Sequence, residues 1–238
     1  MKVVCFDLDD TLYKEIDYLK SAYREIASYA ADYCRGCSDS PIILSVKAYD
    51  AMLIAYKEGQ NAFERLNAFF GINLPISEYL QIYRKHKPNI RLSESVVSAL
   101  NLLKSSESII GLITDGRSGQ QRNKVEALGL NRWIMDENLV ISEEFGSEKP
   151  TSANYEYFMK RYPECDEFMY VGDNLQKDFI APNALGWQTV CLKDDGRNIH
   201  KQDFSTISSK ASKRIRDATL HTFIYHYIFA AKSKSLII

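Results

Sequence analysis

The chain has 238 residues, of which 45% are hydrophobic, and its formal net charge is −1. That length and composition allow one domain of ordinary size plus a smaller insertion, and they exclude a largely disordered protein. The near-zero charge supplies no field that concentrates nucleic acid or anionic lipid, and no apolar run reaches the roughly 18 residues that span a bilayer, so we predict a cytoplasmic protein that binds neither nucleic acid nor membrane.

The first predicted element is a buried strand, KVVCFDL, at residues 2–8. From residue 17 to residue 88 the apolar residues recur at helical spacing instead. In YLKSAYREIASYAADYC this spacing places Leu19, Tyr23, Ile26 and either Tyr29 or Ala30 on one face. We therefore predict that the block 17–88 is entirely helical.

Two of the five cysteines lie at the end of the first predicted helix, where Cys34 and Cys37 have the C-x-x-C spacing of redox and zinc sites. No second cysteine pair or nearby histidine completes a set of four zinc ligands. The odd number of cysteines also argues against a disulfide framework. We predict neither disulfides nor a zinc site.

After Pro88 strands and helices alternate. The predicted helices are SESVVSALNLLKS, RSGQQRNKVEALGL, TSANYEYFMKRY and a short or kinked LQKDFIAPNALG, and the predicted strands are SIIGLIT, NLVIS, EFMYVGD and QTVCL. This alternation predicts an α/β fold, a doubly wound and mainly parallel five-stranded sheet with helices on both faces.

The last segment, residues 206–238, is predicted to be a helical extension. Its helix TLHTFIYHYIFAA is apolar nearly all round, so we expect it to pack on the rest of the chain or to form a homodimer. A basic stretch precedes this helix, and acidic residues flank it. This pattern favours a solvated surface over a nucleic-acid patch. These basic residues are Lys210, Lys213, Arg214 and Arg216.

Polar residues follow several predicted strands at the edge where doubly wound sheets place their functional groups. The first strand ends in Asp7, Asp9 and Asp10, and Asp173 follows the fourth. Alternation along an extended chain lets Asp7 and Asp9 face the same side, so we expect Asp7, Asp9 and Asp173 to converge. A cluster of carboxylates without histidine or thiol is suited to Mg²⁺.

Four segments carry a family resemblance: DLDDT, LITDG, SEEFGSEKP and VGDNLQKD resemble the four ordered motifs of the haloacid dehalogenase-like (HAD) hydrolase superfamily. The resemblance covers residues 1–15 and 90–192. It implies a Rossmann-like catalytic core at 1–16 and 89–205. The helical block 17–88 stands where one branch of the family inserts a cap domain.

The resemblance also implies roles for individual residues. Asp7 would be the nucleophile that forms an aspartyl-phosphate, and Asp9 the acid and base, with a pKa that crowding by Asp7 brings towards the working pH. Lys149 would offset the negative charge of Asp7 and of the phosphoryl group. The implied phosphate-binding set is Thr114, Asp115, Gly116 and Lys149. The implied Mg²⁺ set is Asp7, Asp9 through its backbone carbonyl, Asp173 and Asp178.

The predicted function is a Mg²⁺-dependent phosphatase of a small phosphomonoester, of the sugar phosphate or nucleoside monophosphate class. A phosphomutase or a phosphonatase of the same superfamily is an alternative, the latter with Lys20, Lys47 or Lys57 as a Schiff base. A receiver-like phospho-switch and a catalytically silent interaction protein are alternatives of other classes. The presence of Asp9 disfavours a dehalogenase, which attacks carbon and does not need it.

Outside the motifs, some polar residues are open to two interpretations. Residues 13–15 (Tyr13, Lys14 and Glu15) follow the first motif and are predicted either to touch the substrate or to lie on the surface. Inside the cap, Arg65, Arg84 and His86 are candidates to bind the leaving group, although we expect each to be exposed to solvent.

Overall fold

The computed structural model describes residues 1–34, 40–205 and 211–229. Cys37 and Lys210 lie outside the described residues. The chain divides into two compact units, one formed by Met1–Glu15 with Arg91–Ile238 and the other by Ile16–Ile90. Among the described residues, no helix combines the length and the apolar character needed to cross a membrane.

The first unit is built on one parallel sheet of six strands, in the order β3-β2-β1-β4-β5-β6. The strands are β1 (Lys2–Phe6), β2 (Ile109–Thr114), β3 (Leu139–Ile141), β4 (Glu167–Gly172), β5 (Gln188–Leu192) and β6 (Lys213–Ile215). The predicted parallel α/β fold is confirmed. The strand order places β1, β2 and β4, whose ends carry the motif residues, side by side in the middle of the sheet.

The sixth strand corrects the prediction of five. Residues 213–215 were expected to belong to a helical extension, but they pair with β5, and the Lys193 N–H donates to the Ile215 carbonyl at 2.7 Å. This strand is only three residues long, and its two basic residues are exposed. Short, charged strands are typical of sheet edges. Such a strand is too short to show the alternation of apolar and polar residues that predicts a strand.

Helices flank the sheet. They are α5 (Glu94–Ser105), α6 (Ser118–Ala127), α7 (Ser142–Phe145), α8 (Ala153–Arg161), α9 (Ile180–Ala184) and α10 (Leu220–Phe229). Helix α5 begins where predicted, because the Ser93 hydroxyl accepts a hydrogen bond from the Val96 N–H. Helix α9 is short, as expected from Pro182.

Helix α10 packs on α5 and buries Leu220, Ile224 and Ile228. The apolar helix of the extension therefore has a partner surface within its own unit. Formation of a homodimer through this helix stays a prediction.

The second unit is helical, with α1 (Glu15–Tyr33), α2 (Pro41–Lys57), α3 (Ala62–Phe70) and α4 (Ile76–Lys85). On α1 the predicted apolar face is buried through Leu19, Tyr23, Ile26 and Ala30, whereas Tyr29 is exposed. Helix α3 is capped at its start by Asn61, whose side chain accepts from two backbone N–H groups.

Of the three polar residues singled out in this unit, Arg65 and Arg84 are exposed, as expected. His86 is buried, which corrects the expectation for that residue. Its Nε2 lies 2.7 Å from the Ser21 hydroxyl, and its Nδ1 pairs with Glu25. Because α1 supplies both partners, the imidazole is held against that helix.

Candidate active site

Three carboxylates converge at the carboxyl edge of the sheet. Asp7 follows β1, Asp173 follows β4, and Asp178 comes from the loop beyond it. The Asp7 N–H donates to the Val171 carbonyl at 2.8 Å, so the hydrogen bonding between β1 and β4 continues to Asp7. All three side chains are buried, and each offers an oxygen within 4.8 Å of the others.

Lys149 is the buried cation of this cluster. Its Nζ lies 2.6 Å from Asp7 Oδ1 and 2.7 Å from Asp178 Oδ1. It also donates to the Tyr170 hydroxyl at 3.0 Å. The sequence predicts an apolar strand at Tyr170 and contains no pattern that indicates its contact with Lys149.

Asp178 organises the loop that carries Asp173. Its Oδ2 accepts the N–H groups of Asp173 at 3.1 Å and of Asn174 at 2.8 Å, while its Oδ1 accepts from Lys149. A Cβ at Gly172 would lie 2.5 Å from Asp178 Oδ2, so this approach requires glycine. The contacts of Asp178 therefore orient the loop and Lys149 together.

The cluster holds more negative charge than one lysine neutralises. Burial is the main cause that raises the pKa of Asp7 to about 7, partly opposed by Lys149. Burial and the neighbouring carboxylates of Asp7 and Asp178 raise the pKa of Asp173 to about 9. A further cation would stabilise the ionised forms of both carboxylates.

The donor set fits Mg²⁺. Buried carboxylate oxygens with a shortage of positive charge are the environment that a hard divalent cation occupies. Asp7 and Asp173 are the side chains that would hold it. The Asp9 carboxylate points to other partners, and only the backbone carbonyl of Asp9 remains a predicted ligand.

Asp9 is held by α6. Its oxygens accept from Lys124 Nζ at 2.7 and 2.8 Å and from Gln121 Nε2 at 3.0 Å, and the Tyr13 hydroxyl donates to Oδ1 at 2.5 Å. Burial favours the protonated form, but the charge and hydrogen bonds of Lys124, together with the hydrogen bonds of Tyr13 and Gln121, lower the pKa of Asp9. The expected upward shift by Asp7 is therefore corrected.

Gln121 and Lys124 were missed at the sequence level. Both lie on the first turns of α6 with a spacing of three, which places them on one helix face. That spacing, in a helix that follows the second motif, was the available signal. Both side chains are buried.

The second motif supplies a buried hydroxyl. Thr114 Oγ1 accepts from Gln121 Nε2 at 2.9 Å. The Asp115 carboxylate accepts from the Lys149 N–H and from Lys177 Nζ, so it links the third and fourth motifs. The Gly116 N–H donates to the Ser142 hydroxyl at 2.9 Å. Phosphate binding by these residues stays a prediction, and Gly116 would have to exchange its partner.

The residues after the first motif form hydrogen bonds with other residues around the site. Tyr13 is buried against Asp9, and Lys14 Nζ donates to Asn198 Oδ1 at 2.7 Å. Glu15 begins α1, and its N–H donates to Asp10 Oδ1 at 2.9 Å. Tyr13 and Lys14 thus have protein partners, which supports a framework role over substrate contact.

The model of a known family, described as haloacid dehalogenase-like hydrolase, matches residues 4–192. The chain belongs to this family. The match spans both compact units and all four sequence motifs. It confirms the family resemblance and the prediction of an enzyme that is a hydrolase.

The chain is also similar to curated phosphatases, to one along most of its length and to another along a shorter stretch. It is 27% identical over 230 residues to glyceraldehyde 3-phosphate phosphatase from Methanocaldococcus jannaschii, covering 91% of this chain and 96% of that protein. It is 33% identical over 98 residues to the pyrimidine 5'-nucleotidase YjjG from Escherichia coli, covering 40% and 42%.

Among solved structures, the magnesium-bound HAD hydrolase YfnB from Bacillus subtilis superposes with a TM-score of 0.61. The two chains are 19% identical, and the superposition covers 95% of this chain and 98% of that one. At this identity the likeness concerns the fold.

Proposed function

We propose that the protein is a Mg²⁺-dependent phosphatase that hydrolyses a small phosphorylated sugar through an aspartyl-phosphate at Asp7. The observation that carries the proposal is Lys149, which is buried between Asp7 and Asp178 beside Asp173. A carboxylate held by a buried lysine in a cluster that fits a divalent cation is equipped to attack a phosphate dianion.

In the first step Asp7 Oδ2 attacks phosphorus while Lys149 holds Oδ1. The bond from phosphorus to the leaving oxygen breaks, and that oxygen takes a proton from Asp9. In the second step a water attacks the aspartyl-phosphate, gives its proton to Asp9, and releases inorganic phosphate and free Asp7. Bound Mg²⁺ would neutralise charge on the phosphoryl oxygens throughout.

The two steps require different states of Asp9. Lys124 favours the ionised form, which is the base of the second step. For the first step Asp9 must carry a proton, and the negative charge of an incoming phosphate raises the pKa of a nearby carboxyl group. Substrate binding therefore favours the protonated form of Asp9 that the first step needs.

The helical block 17–88, which lies within the compact unit Ile16–Ile90, is the proposed cap whose role is to contact the leaving group. For the phosphonatase alternative, a Schiff-base lysine is normally desolvated so that it can lose its proton. Lys47 and Lys57 are exposed. This argues against those two residues as the Schiff base, and the half-buried Lys20 is the candidate that remains for the phosphonatase alternative.

The substrate proposal rests on relatives of similar length. Glyceraldehyde 3-phosphate is the first compound to test, because the phosphatase of that name matches nearly the whole chain. A panel of triose, pentose and hexose phosphates and of nucleoside monophosphates should be assayed for phosphate release with Mg²⁺ and with EDTA. Release from a sugar phosphate that EDTA abolishes is expected. Isomerisation without phosphate release would instead establish a phosphomutase.

Asp9→Asn should distinguish acid catalysis from binding. We expect the rate on an alkyl phosphate to fall by about 100-fold or more, because its leaving oxygen needs a proton. An aryl phosphate, whose leaving group departs as an anion, should lose less in single-turnover phosphorylation of the enzyme. Asp136→Asn, an exposed change on the same unit, is the control. Equal losses on both substrates would contradict the acid role.

A further inference from the structure

The loop that follows β5 approaches the metal-binding carboxylates from a part of the chain outside the four motifs. Asp194 Oδ1 accepts the N–H groups of Gly196 at 2.7 Å and of Asn198 at 3.0 Å. These bonds form a tight turn, in which Gly196 has φ +92°. The turn fixes the backbone of Asn198 next to Asp173.

The Asn198 amide connects two residues of the site. Its Nδ2 donates to Asp173 Oδ2 at 2.9 Å, and its Oδ1 accepts from Lys14 Nζ at 2.7 Å. An ammonium group only donates hydrogen bonds, so the amide oxygen must face Lys14. The amide nitrogen therefore must face the carboxylate of Asp173.

The loop has other anchors that do not involve the Asn198 side chain. Gln202 Nε2 donates to the carbonyls of Asp173 and Leu192, each at 2.8 Å. The Ile199 N–H donates to Asp10 Oδ2 at 2.9 Å. Truncation of Asn198 therefore removes one contact of Asp173 while these bonds still hold the loop.

We propose that Asn198 and Lys14 are a pair of positioning residues that fix the carboxylate of Asp173 for the divalent cation. Lys14 sets the orientation of the amide, and the amide sets the orientation of the carboxylate. Among the described residues, the hydrogen bond given to the opposite oxygen of Asp173 is a long one, 3.4 Å from the Thr11 hydroxyl. The Asn198 bond is thus the better of these two side-chain restraints on this ligand.

This inference rests on the proposed function, since it assumes that Asp173 holds Mg²⁺. Hydrogen-bond partners that orient metal ligands typically change metal affinity by 10- to 100-fold when removed. If Lys14 acts on Asp173 only through Asn198, the effects of the two substitutions on Mg²⁺ affinity should not multiply. Loss of Lys14 should matter only while Asn198 is present to be oriented.

The test is Mg²⁺ binding to the full chain without substrate, measured by isothermal titration calorimetry for the wild type, Asn198→Ala, Lys14→Met and the double variant. Asn198→Ala should raise the Mg²⁺ dissociation constant by about tenfold. Lys14→Met should raise it by a smaller factor, and the double variant should match Asn198→Ala. Lys201→Ala, an exposed change in the same loop, should bind like the wild type.

Stability and turnover provide the second readout. The unfolding midpoint in EDTA should stay close to wild type for Asn198→Ala, and kcat should recover when Mg²⁺ is raised to saturate the variant. A Mg²⁺ dissociation constant of Asn198→Ala within twofold of wild type would overturn the proposal. So would a double variant whose dissociation constant rises by the product of the two single-variant factors. If the wild type binds no Mg²⁺ and releases no phosphate, the proposed function fails instead.

Discussion

Asp7→Asn should abolish phosphate release, with a loss of at least about a thousandfold in kcat/KM, because the amide supplies no anionic oxygen to attack phosphorus. The protein should stay folded. The variant removes a negative charge from a buried cluster of three carboxylates, two of which pair with Lys149. The measurement is steady-state phosphate release beside a thermal unfolding curve in EDTA.

Asp166→Asn is the matched control, because the same chemical change is made at a side chain that is 84% exposed. It should retain wild-type turnover. Turnover of Asp7→Asn near the wild-type level would refute the nucleophile assignment. So would trapping of the phosphoryl group on a residue other than position 7 in the wild type.

Lys149→Met should have the largest effect on stability. It leaves the carboxylates of Asp7 and Asp178 buried without their cation, a change that typically costs about 3–5 kcal/mol in the free energy of unfolding. The loss should be greater in EDTA than in saturating Mg²⁺, because a bound cation replaces part of the missing charge. Denaturant unfolding under both conditions measures the difference.

Lys177→Met is the control for Lys149→Met. Lys177 pairs with Asp115 at 2.8 Å, but its side chain is 36% exposed, so its removal should cost about 1 kcal/mol or less. If both variants lost the same free energy of unfolding, the burial of Lys149 between Asp7 and Asp178 would make no additional contribution to stability. A loss at Lys149 that Mg²⁺ leaves unchanged would separate this lysine from the metal site.

The core of the site could be predicted because it follows strands. Asp7, Thr114 and Asp173 each end or follow an apolar segment, and parallel strands bring their carboxyl ends to one edge. Periodicity identified those strands, and only the three-residue β6 escaped. The predicted roles of the residues and the bounds of the cap are still to be tested.

The supporting contacts could not be predicted in the same way. Lys124 reaches Asp9 across 115 residues of sequence, and Lys14 reaches Asn198 across 184. No local pattern encodes such pairs, since they depend on how α6 and the loop after β5 pack at the sheet edge. The pKa of Asp9 was therefore assigned the wrong direction from its neighbours in sequence alone.

The short strand β6 has a consequence for shortened forms of the protein. The sequence predicts that the catalytic core ends at residue 205. A chain cut there would lack β6, and the backbone N–H and C=O groups of β5 that pair with β6 would lose their partners. It would also uncover the face of α5 on which α10 packs. Unprotected sheet edges and bare apolar faces promote association between molecules. We therefore expect the shortened chain to self-associate more readily than the full chain.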